Sequence, residues 1–221
     1  MPALVHDHPW KVAPREAIAI QKRLAAFVEP RPLPAPPQHI AGVDVSVRGD
    51  RVQTAIVVLA LPGFEVMDQV IHRDEVAFPY VPGLLSFREM PAILPALDQL
   101  QVWPDVFMTD SHGLAHPRRF GLACHLGVML GRPAFGVAKS RLTGCFAMPE
   151  PQKGATSPLM DKEEHIGAVV RTRANVLPVY VSIGQHITLG EAVALTLACA
   201  PRYKIPEPTR LAHRLSKNGT L

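Results

Sequence analysis

The chain has 221 residues, of which 48% are hydrophobic and 19% are charged, a composition typical of a folded globular protein and not of a disordered one. Its 23 Lys and Arg residues against 19 Asp and Glu residues give a net charge of +4, which permits a nucleic-acid partner without requiring one. The longest apolar run, residues 55–61, is too short to cross a bilayer, and the first ten residues lack the apolar stretch of a secretion signal. Three widely spaced cysteines argue against both a disulfide framework and a zinc knuckle. We therefore expect a cytoplasmic protein with no membrane segment.

The N-terminal part, residues 1–38, is predicted to be a helix followed by an extended tether. Residues 14–28 carry apolar side chains at helical spacing, and residues 29–38 contain five prolines. We expect this part to pack on the remaining residues 39–221 as one domain.

Residue 39 marks a change from helical to strand-like patterning. Apolar, β-branched runs predict three strands, and the short turns between them indicate antiparallel neighbours: residues 40–47, 53–61 and 64–76.

Helices and strands alternate after this part. We predict helices at residues 86–100, 117–130 and 190–200, the last being the final helix. Strands are predicted at 102–109, 134–138, 167–172 and 178–183, and a loop at 143–163. Three antiparallel strands followed by this alternation predict a mixed α/β sheet with helices on its faces.

Two aspartates lie in apolar strands. Asp44 is embedded in IAGVDVSV, and Asp110 follows the strand VFMT. An exposed edge-strand position would explain either residue alone, but a carboxylate in so apolar a run usually has a cation nearby. Two such strands side by side would provide hard oxygen ligands for magnesium or manganese.

The segment before the first long helix of this region contains two further candidates. Glu89 lies three residues after Ser86, so its spacing alone favours a capping-box glutamate. Tyr80 stands between two prolines and before a glycine, which suggests a rigid turn that displays the ring, although a core tyrosine is the alternative. A displayed ring can stack on bases or wedge between them.

Residues 110–121, DSHGLAHPRRFG, combine small residues, histidines and arginines at a strand-to-helix junction, a composition that favours phosphate. A zinc site at His112 and His116 is disfavoured, because no matching Cys or His cluster accompanies them. The basic residues of this region have no acid among them between Asp110 and Glu150, which suits a phosphodiester substrate or a solvated basic face: Arg118, Arg119, Arg132, Lys139 and Arg141.

Five motifs occur in one order: IAGVDVS, PYVPGLLSFRE at 79–89, the Asp110 segment through HPRRFGLACHLGV, GVAKSRL at 136–142 and YKIPEPTRLAH at 203–213. Together they resemble the endonuclease V family of deoxyinosine-specific nucleases over roughly residues 40–213. The resemblance implies a ribonuclease H-like fold. It also implies a DNA repair enzyme that uses Mg²⁺, or Mn²⁺ in its place, to hydrolyse the phosphodiester 3′ to deaminated adenine, leaving 3′-hydroxyl and 5′-phosphate ends.

The resemblance also implies roles for individual residues. Metal binding and water activation would fall to Asp44, Glu89 and Asp110, with His213 completing the catalytic site and Lys139 beside the scissile phosphate. Residues of the wedge and of the base pocket would contact the DNA: Pro79, Tyr80, Val81, Pro82, Gly83, Leu85, Ser111, Gly113, His116 and Arg118.

Two places depart from the family pattern. Ser111 stands where glycine is expected and adjoins the lesion pocket, so its side chain would narrow base preference or weaken activity. Residues 182–186 differ from the Gly-His order of some members. Some members also have Asp at the position of His213. The alternatives to a deoxyinosine nuclease are a ribonuclease for inosine-containing RNA, a nuclease for mismatched or branched DNA, and a binding module without catalysis. We expect a monomer whose partner is inosine-containing DNA, or inosine RNA in the first alternative.

Overall fold

The computed structural model describes residues 3–221, so the first two residues of the predicted N-terminal segment lie outside the described part. Its strands, in chain order, are β1 (His39–Arg48), β2 (Arg51–Ala60), β3 (Val66–Glu75), β4 (Val106–Thr109), β5 (Ala134–Ala138), β6 (Thr156–Asp161), β7 (Glu164–Val170) and β8 (Val179–Gln185). Its helices are α1 (Pro14–Ala25), α2 (Leu85–Leu97), α3 (Leu122–Leu130), α4 (Leu189–Ala198) and α5 (Glu207–Asn218).

The eight strands form one mixed sheet in the order β3-β2-β1-β4-β5-β8-β7-β6. The first three strands pair antiparallel, and β4 and β5 then run parallel to β1. The remaining strands, β8, β7 and β6, are antiparallel to their neighbours. The predicted fold class, a mixed α/β sheet flanked by helices, is confirmed.

The helices cover both faces of this sheet. One core contains α2 together with Ala41, Val43 and Ile56 of the central strands. The other contains α4 and α5 with Ile40 and Ala55, which point to the opposite face because side chains alternate along a strand.

Two predictions in the middle of the chain are wrong. The helix predicted at 117–130 begins only at Leu122, because Arg119 takes a left-handed φ of 55° and Gly121 is extended. The predicted loop at 143–163 contains β6, whose sequence includes Pro158. A proline is tolerated there because β6 is an edge strand, where one missing N–H costs no sheet hydrogen bond.

The predictions for two helices also need correction. No side chain caps α2: its N-cap is Leu84, so the capping box of Ser86 and Glu89 is wrong. The hydroxyl of Ser86 instead contacts His125. The helix predicted as final is followed by α5, which begins with the proline-containing sequence Glu207-Pro208; proline is well accommodated in a first helical turn.

Helix α5 lies unusually close to β1 at Gly42. A Cβ atom at this position would lie 1.9 Å from the carbonyl oxygen of Pro208, so only glycine permits the approach. This contact fixes the height of α5 over the strand that carries Asp44.

A buried chain of hydrogen bonds joins the N-terminal segment to α2 and α3. Nδ1–H of His8 donates to the carbonyl of Pro9, which leaves Nε2 of His8 to accept from Nε2–H of His125 at 2.7 Å. Nδ1 of His125 then accepts from the Ser86 hydroxyl at 2.9 Å. Burial lowers the pKa of both histidines, and that of His125 falls well below its usual value, so both rings are neutral in the folded protein.

None of the helices in residues 3–221 has the length and apolar character needed to cross a membrane.

The neutral histidines predict acid sensitivity of the fold. Below the ordinary histidine pKa of 6.5, the unfolded chain binds protons that the folded chain cannot, so the free energy of unfolding falls as pH drops. Substituting His125→Gln should reduce this fall by up to about 1.4 kcal/mol per pH unit, because glutamine does not titrate. Urea unfolding between pH 7 and pH 5 measures the slope, with His165→Gln at an exposed site as control. Equal slopes for H125Q and the unsubstituted protein would contradict the prediction.

Candidate active site

Parallel pairing of β1 and β4 brings two aspartates together. Val43 is opposite Thr109 in the register, so Asp44 and Asp110 follow side by side on two adjacent central strands of the sheet. Their carboxylates and the ring of His213 offer ligand atoms that all lie within 4.8 Å of one another. The three side chains therefore form a compact set of candidate metal ligands.

Helix α5 supplies two neighbours of Asp44. The hydroxyl of Ser216 donates to Oδ2 of Asp44, and Nδ1 of His213 lies 3.3 Å from the same oxygen. The two side chains share one face of α5 because they are three residues apart. The tight contact at Gly42 thus holds both over the carboxylate.

Glu89 approaches from the opposite face, on α2. It lines a pocket of about 70 Å³ together with Asp44 and Asp110, which we call the carboxylate pocket. Burial, followed by the charges of Asp44 and Asp110, raises the pKa of Glu89 to about 8. A cation in this pocket would relieve the repulsion among the three acids.

Lys139 is the positive charge closest to these acids, at the end of β5. Its ammonium group donates to Oδ2 of Asp110. Burial raises the pKa of the Asp110 carboxyl, and the hydrogen bond and charge of Lys139 oppose that change. One lysine therefore offsets only part of the negative charge of three carboxyl groups.

The donor set fits a hard divalent cation. Nδ1 of His213 is buried and has no hydrogen-bond partner in the described part of the chain, so it is free to bind a ligand. Three carboxylates and one imidazole form an oxygen-rich set, which suits Mg²⁺ or Mn²⁺ better than a thiolate-preferring ion.

A larger cavity of about 360 Å³ opens beside the carboxylate pocket, and the two share Asp110 and Leu122. We call it the side cavity. Nine of its lining residues belong to the predicted site: Tyr80, Val81, Pro82, Gly83, Leu85, Asp110, Ser111, His116 and Lys139. A cavity of this size is typical of small-ligand sites.

Tyr80 stands at the rim of the side cavity with 68% of its surface exposed, which rules out the core alternative. The guanidinium of Arg88 lies 5.8 Å from its ring centre. The ring is therefore displayed to solvent next to the cavity.

The wall of the cavity is fixed by hydrogen bonds to a single carbonyl. The oxygen of Gly83 accepts from Nε2 of Gln21 at 3.0 Å, from Nη2 of Arg118 at 2.6 Å and from Nε2 of His116 at 3.0 Å. Gly83 has a φ of +78°, which favours glycine. Helix α2 begins at Leu85, two residues after this fixed carbonyl. The first backbone amides of a helix have no hydrogen-bond partner within the helix.

His116 is neutral in this network. Its Nδ1 accepts from the backbone N–H of Arg118 at 3.1 Å, so the proton is on Nε2, which donates to Gly83. Burial and then the charge of Arg118 lower the pKa of His116 to about 4. The ring thus serves as an uncharged donor in the cavity wall.

Ser111 lines the cavity, but its hydroxyl oxygen lies 2.7 Å from that of Thr109 in a hydrogen bond directed into the sheet. Three other predicted substrate-binding residues do not line the cavity. The backbone N–H of Gly113 donates to the Ser182 hydroxyl, and the guanidinium of Arg118 donates to the carbonyl of Gly83. Pro79 lies outside the cavity lining.

The basic residues that follow Asp110 in the sequence are dispersed in space. Arg119 pairs with Asp161 and Glu164 of the β6–β7 hairpin, at 2.8 and 2.7 Å. Arg132 lies over the ring of Trp103. In the described structure only Lys139 and Arg141 of this group line the side cavity, so these basic residues do not share one surface there.

Comparison with known proteins agrees with this geometry. The model of the endonuclease V family matches residues 22–214. An endonuclease V of Roseiflexus castenholzii is 46% identical over 215 residues, which are 97% of this chain and 97% of the relative. The chain belongs to the endonuclease V family.

Solved structures of the family share the fold. The endonuclease V of Streptomyces avermitilis is 43% identical with a TM-score of 0.91, covering 95% of this chain and 94% of that one. The endonuclease V of Ciona intestinalis, solved with a 24mer DNA containing an inosine followed by a ribo-adenosine, is 24% identical with a TM-score of 0.81 and covers 93% and 96%.

Two residues of this endonuclease V site were missed by sequence reasoning. Ser216 lies in the helix that was not predicted. Gln21 lies on the buried stripe of α1 with Ala17 and Leu24, and a glutamine on such a stripe was a usable signal. Its amide also donates to Phe120 at 3.1 Å and accepts from Nε of Arg118 at 2.6 Å.

These contacts predict the effect of Gln21→Leu. The substitution leaves the carbonyl of Phe120 and Nε of Arg118 without their partner, and each unsatisfied buried group costs about 1–3 kcal/mol. We expect the free energy of unfolding in urea to fall by roughly 2–4 kcal/mol on the same basis. The control is Gln152→Leu, at an exposed loop position. Equal unfolding free energies for the two variants would show that the Gln21 contacts contribute nothing.

Proposed function

We propose that this endonuclease V homologue cleaves DNA at deoxyinosine, hydrolysing a phosphodiester bond on the 3′ side of the lesion to leave 3′-hydroxyl and 5′-phosphate ends. The observation that carries the proposal is the junction of the two pockets: Asp110 belongs both to the carboxylate pocket and to the side cavity. A base held in the side cavity would place its own backbone against the acids. Family membership supports nuclease chemistry, and the Ciona relative was solved with inosine-containing DNA.

The proposed catalytic site consists of Asp44, Glu89, Asp110 and His213 as holders of Mg²⁺, which Mn²⁺ could replace. The ion would supply water activation and stabilisation of the leaving oxygen in an in-line displacement. Lys139, already beside Asp110, is positioned to bind a non-bridging oxygen of the scissile phosphate.

Recognition of the base is proposed to rest on backbone groups and neutral donors. Flipping a base costs a few kcal/mol, and less when it is mispaired, so inosine opposite thymine is easier to extract than adenine. An amide N–H at Leu85 can donate to the carbonyl oxygen of hypoxanthine but not to the amino group of adenine. The exposed ring of Tyr80 would fill the gap left in the duplex.

Cleavage of matched oligonucleotides tests the proposal. With Mg²⁺, we expect one nick in duplex DNA carrying a single deoxyinosine, none in unmodified DNA, and none for either after chelation. An otherwise identical RNA with inosine tests the ribonuclease alternative. Asp44→Asn should slow cleavage by about 100- to 1000-fold or more while lesion binding persists, whereas Asp50→Asn in an exposed turn should not. The deoxyinosine proposal fails if modified and unmodified DNA are cut equally or not at all.

Tyr80→Ala tests the wedge. Loss of one stacked ring is worth about 1–3 kcal/mol, so the ratio of affinities for inosine and undamaged duplexes should fall roughly 5- to 150-fold. Tyr80→Phe keeps the ring and should keep the ratio. Fluorescence anisotropy without divalent metal measures both affinities; equal weakening on the two duplexes would rule out a role in lesion discrimination.

A further inference from the structure

A groove of about 610 Å³ lies outside the proposed catalytic site, at the end of the β1–β2 hairpin. Its lining includes four basic residues, two acids and three uncharged polar residues: Arg48, Arg51, Arg73 and Lys217; Asp74 and Glu75; Ser46, Gln53 and Ser216. We call it the basic groove. Apart from Ser216, which also donates to Asp44, the residues of the candidate active site do not line it.

The strand register explains how the basic groove is built. Directly opposite residues of antiparallel strands point to the same face. Ser46, Gln53 and Arg73 therefore form one row, and the row beyond it contains Arg48 and Arg51. Both rows lie on the face that carries Asp44 and is covered by α5.

The C-terminal end of α5 closes the groove. Nε2 of Gln53 donates to the carbonyl of Ser216 at 2.8 Å, and Nη2 of Arg48 donates to that of Lys217 at 3.0 Å. Nε of Arg73 donates to Oε1 of Gln53 at 2.7 Å. These contacts hold this part of the groove in a fixed shape.

The charges of the groove lack partners within the protein. Across residues 3–221, none of its four cations forms an ion pair with a carboxylate, and the side chains of Arg51 and Lys217 make no hydrogen bond. All four are exposed. Four unpaired cations against Asp74 and Glu75 repel one another, and an anion in the groove would relieve that repulsion.

The basic groove is continuous with the carboxylates. Ser216 lines the groove and donates its hydroxyl to Asp44. Along β1, Asp44 and Arg48 are four residues apart, which is about 14 Å at 3.4 Å per residue. A strand of duplex DNA rises about 3.4 Å per nucleotide, so this span corresponds to roughly four nucleotides.

We propose that the basic groove binds the phosphate backbone of nucleic acid within about four nucleotides of the cleaved bond, on one side of it. This inference rests on the proposed function for the position of the bond. The groove would contribute affinity that is independent of sequence and lesion, because phosphate contacts carry no base information.

The test removes two basic side chains, those of Arg51 and Lys217, that make no hydrogen bond within the protein. We compare Arg51→Ala/Lys217→Ala with Arg31→Ala/Arg132→Ala, which removes the same number of charges outside the groove, next to the interior strands β8 and β5. Binding to inosine and undamaged duplexes is measured without divalent metal over a salt series. Loss of two phosphate contacts should flatten the slope of log K against log salt by about 1.8 and weaken binding at 0.1 M salt by up to roughly 60-fold, on both duplexes alike.

Duplexes shortened on one side of the lesion locate the groove. The unsubstituted protein should lose affinity when the side held by the groove is trimmed to two nucleotides, and the R51A/K217A protein should lose no more. The proposal is overturned if R51A/K217A keeps the slope and affinity of the control, as it would if the groove served an acidic protein instead. If R51A/K217A flattens the salt-dependence slope but the unsubstituted protein does not cleave inosine-containing DNA, the groove proposal is supported and only the substrate assignment is overturned.

Discussion

The active-site region depends on one pairing: β4 parallel to β1 in the register that aligns Thr109 with Val43. This register puts Asp44 and Asp110 side by side on the central strands of the sheet, and a slip of one residue would turn one carboxylate to the opposite face. The carboxylates of Asp44 and Asp110 repel each other, because they are close together and largely removed from water. The helices then add Glu89 from one face and His213 from the other, so the arrangement is a candidate cation site.

Much of this arrangement follows from local sequence. The sequence predicted Asp44 and Asp110 as site residues, because a carboxylate within or directly after an apolar strand usually has a cation nearby. Strands β1, β2 and β5 were predicted within two residues of their observed bounds, because short β-branched apolar runs bounded by turn signals favour strands. Strand β4 was predicted to begin at residue 102 and begins at Val106. Glu89 was different, since its spacing also suited a helix cap, and only the family motifs pointed to the site.

The parts that sequence could not predict are those set by contacts between distant residues. Helix α5 begins within a proline-rich sequence, and its position is fixed by the approach of Pro208 to Gly42, 166 residues earlier in the chain. Pro117 suggested that a helix begins just before Arg119. In the structure Arg119 instead has a left-handed backbone, and its side chain pairs with two carboxylates of the β6–β7 hairpin. Local propensity is overridden where a buried or paired side chain has a partner far along the chain.

Gln21 and Gly83 link the N-terminal helix to the cavity wall. An exposed carbonyl at Gly83 would repel the carbonyl oxygen of a base and attract an amino group. Three donors now occupy that oxygen, two of them from side chains that are neutral. The donors thereby remove an acceptor from the wall and leave the amides at the start of α2 as the available backbone groups. If the side cavity holds a base, as proposed, the contacts of Gln21 in its wall would favour a base that presents a carbonyl.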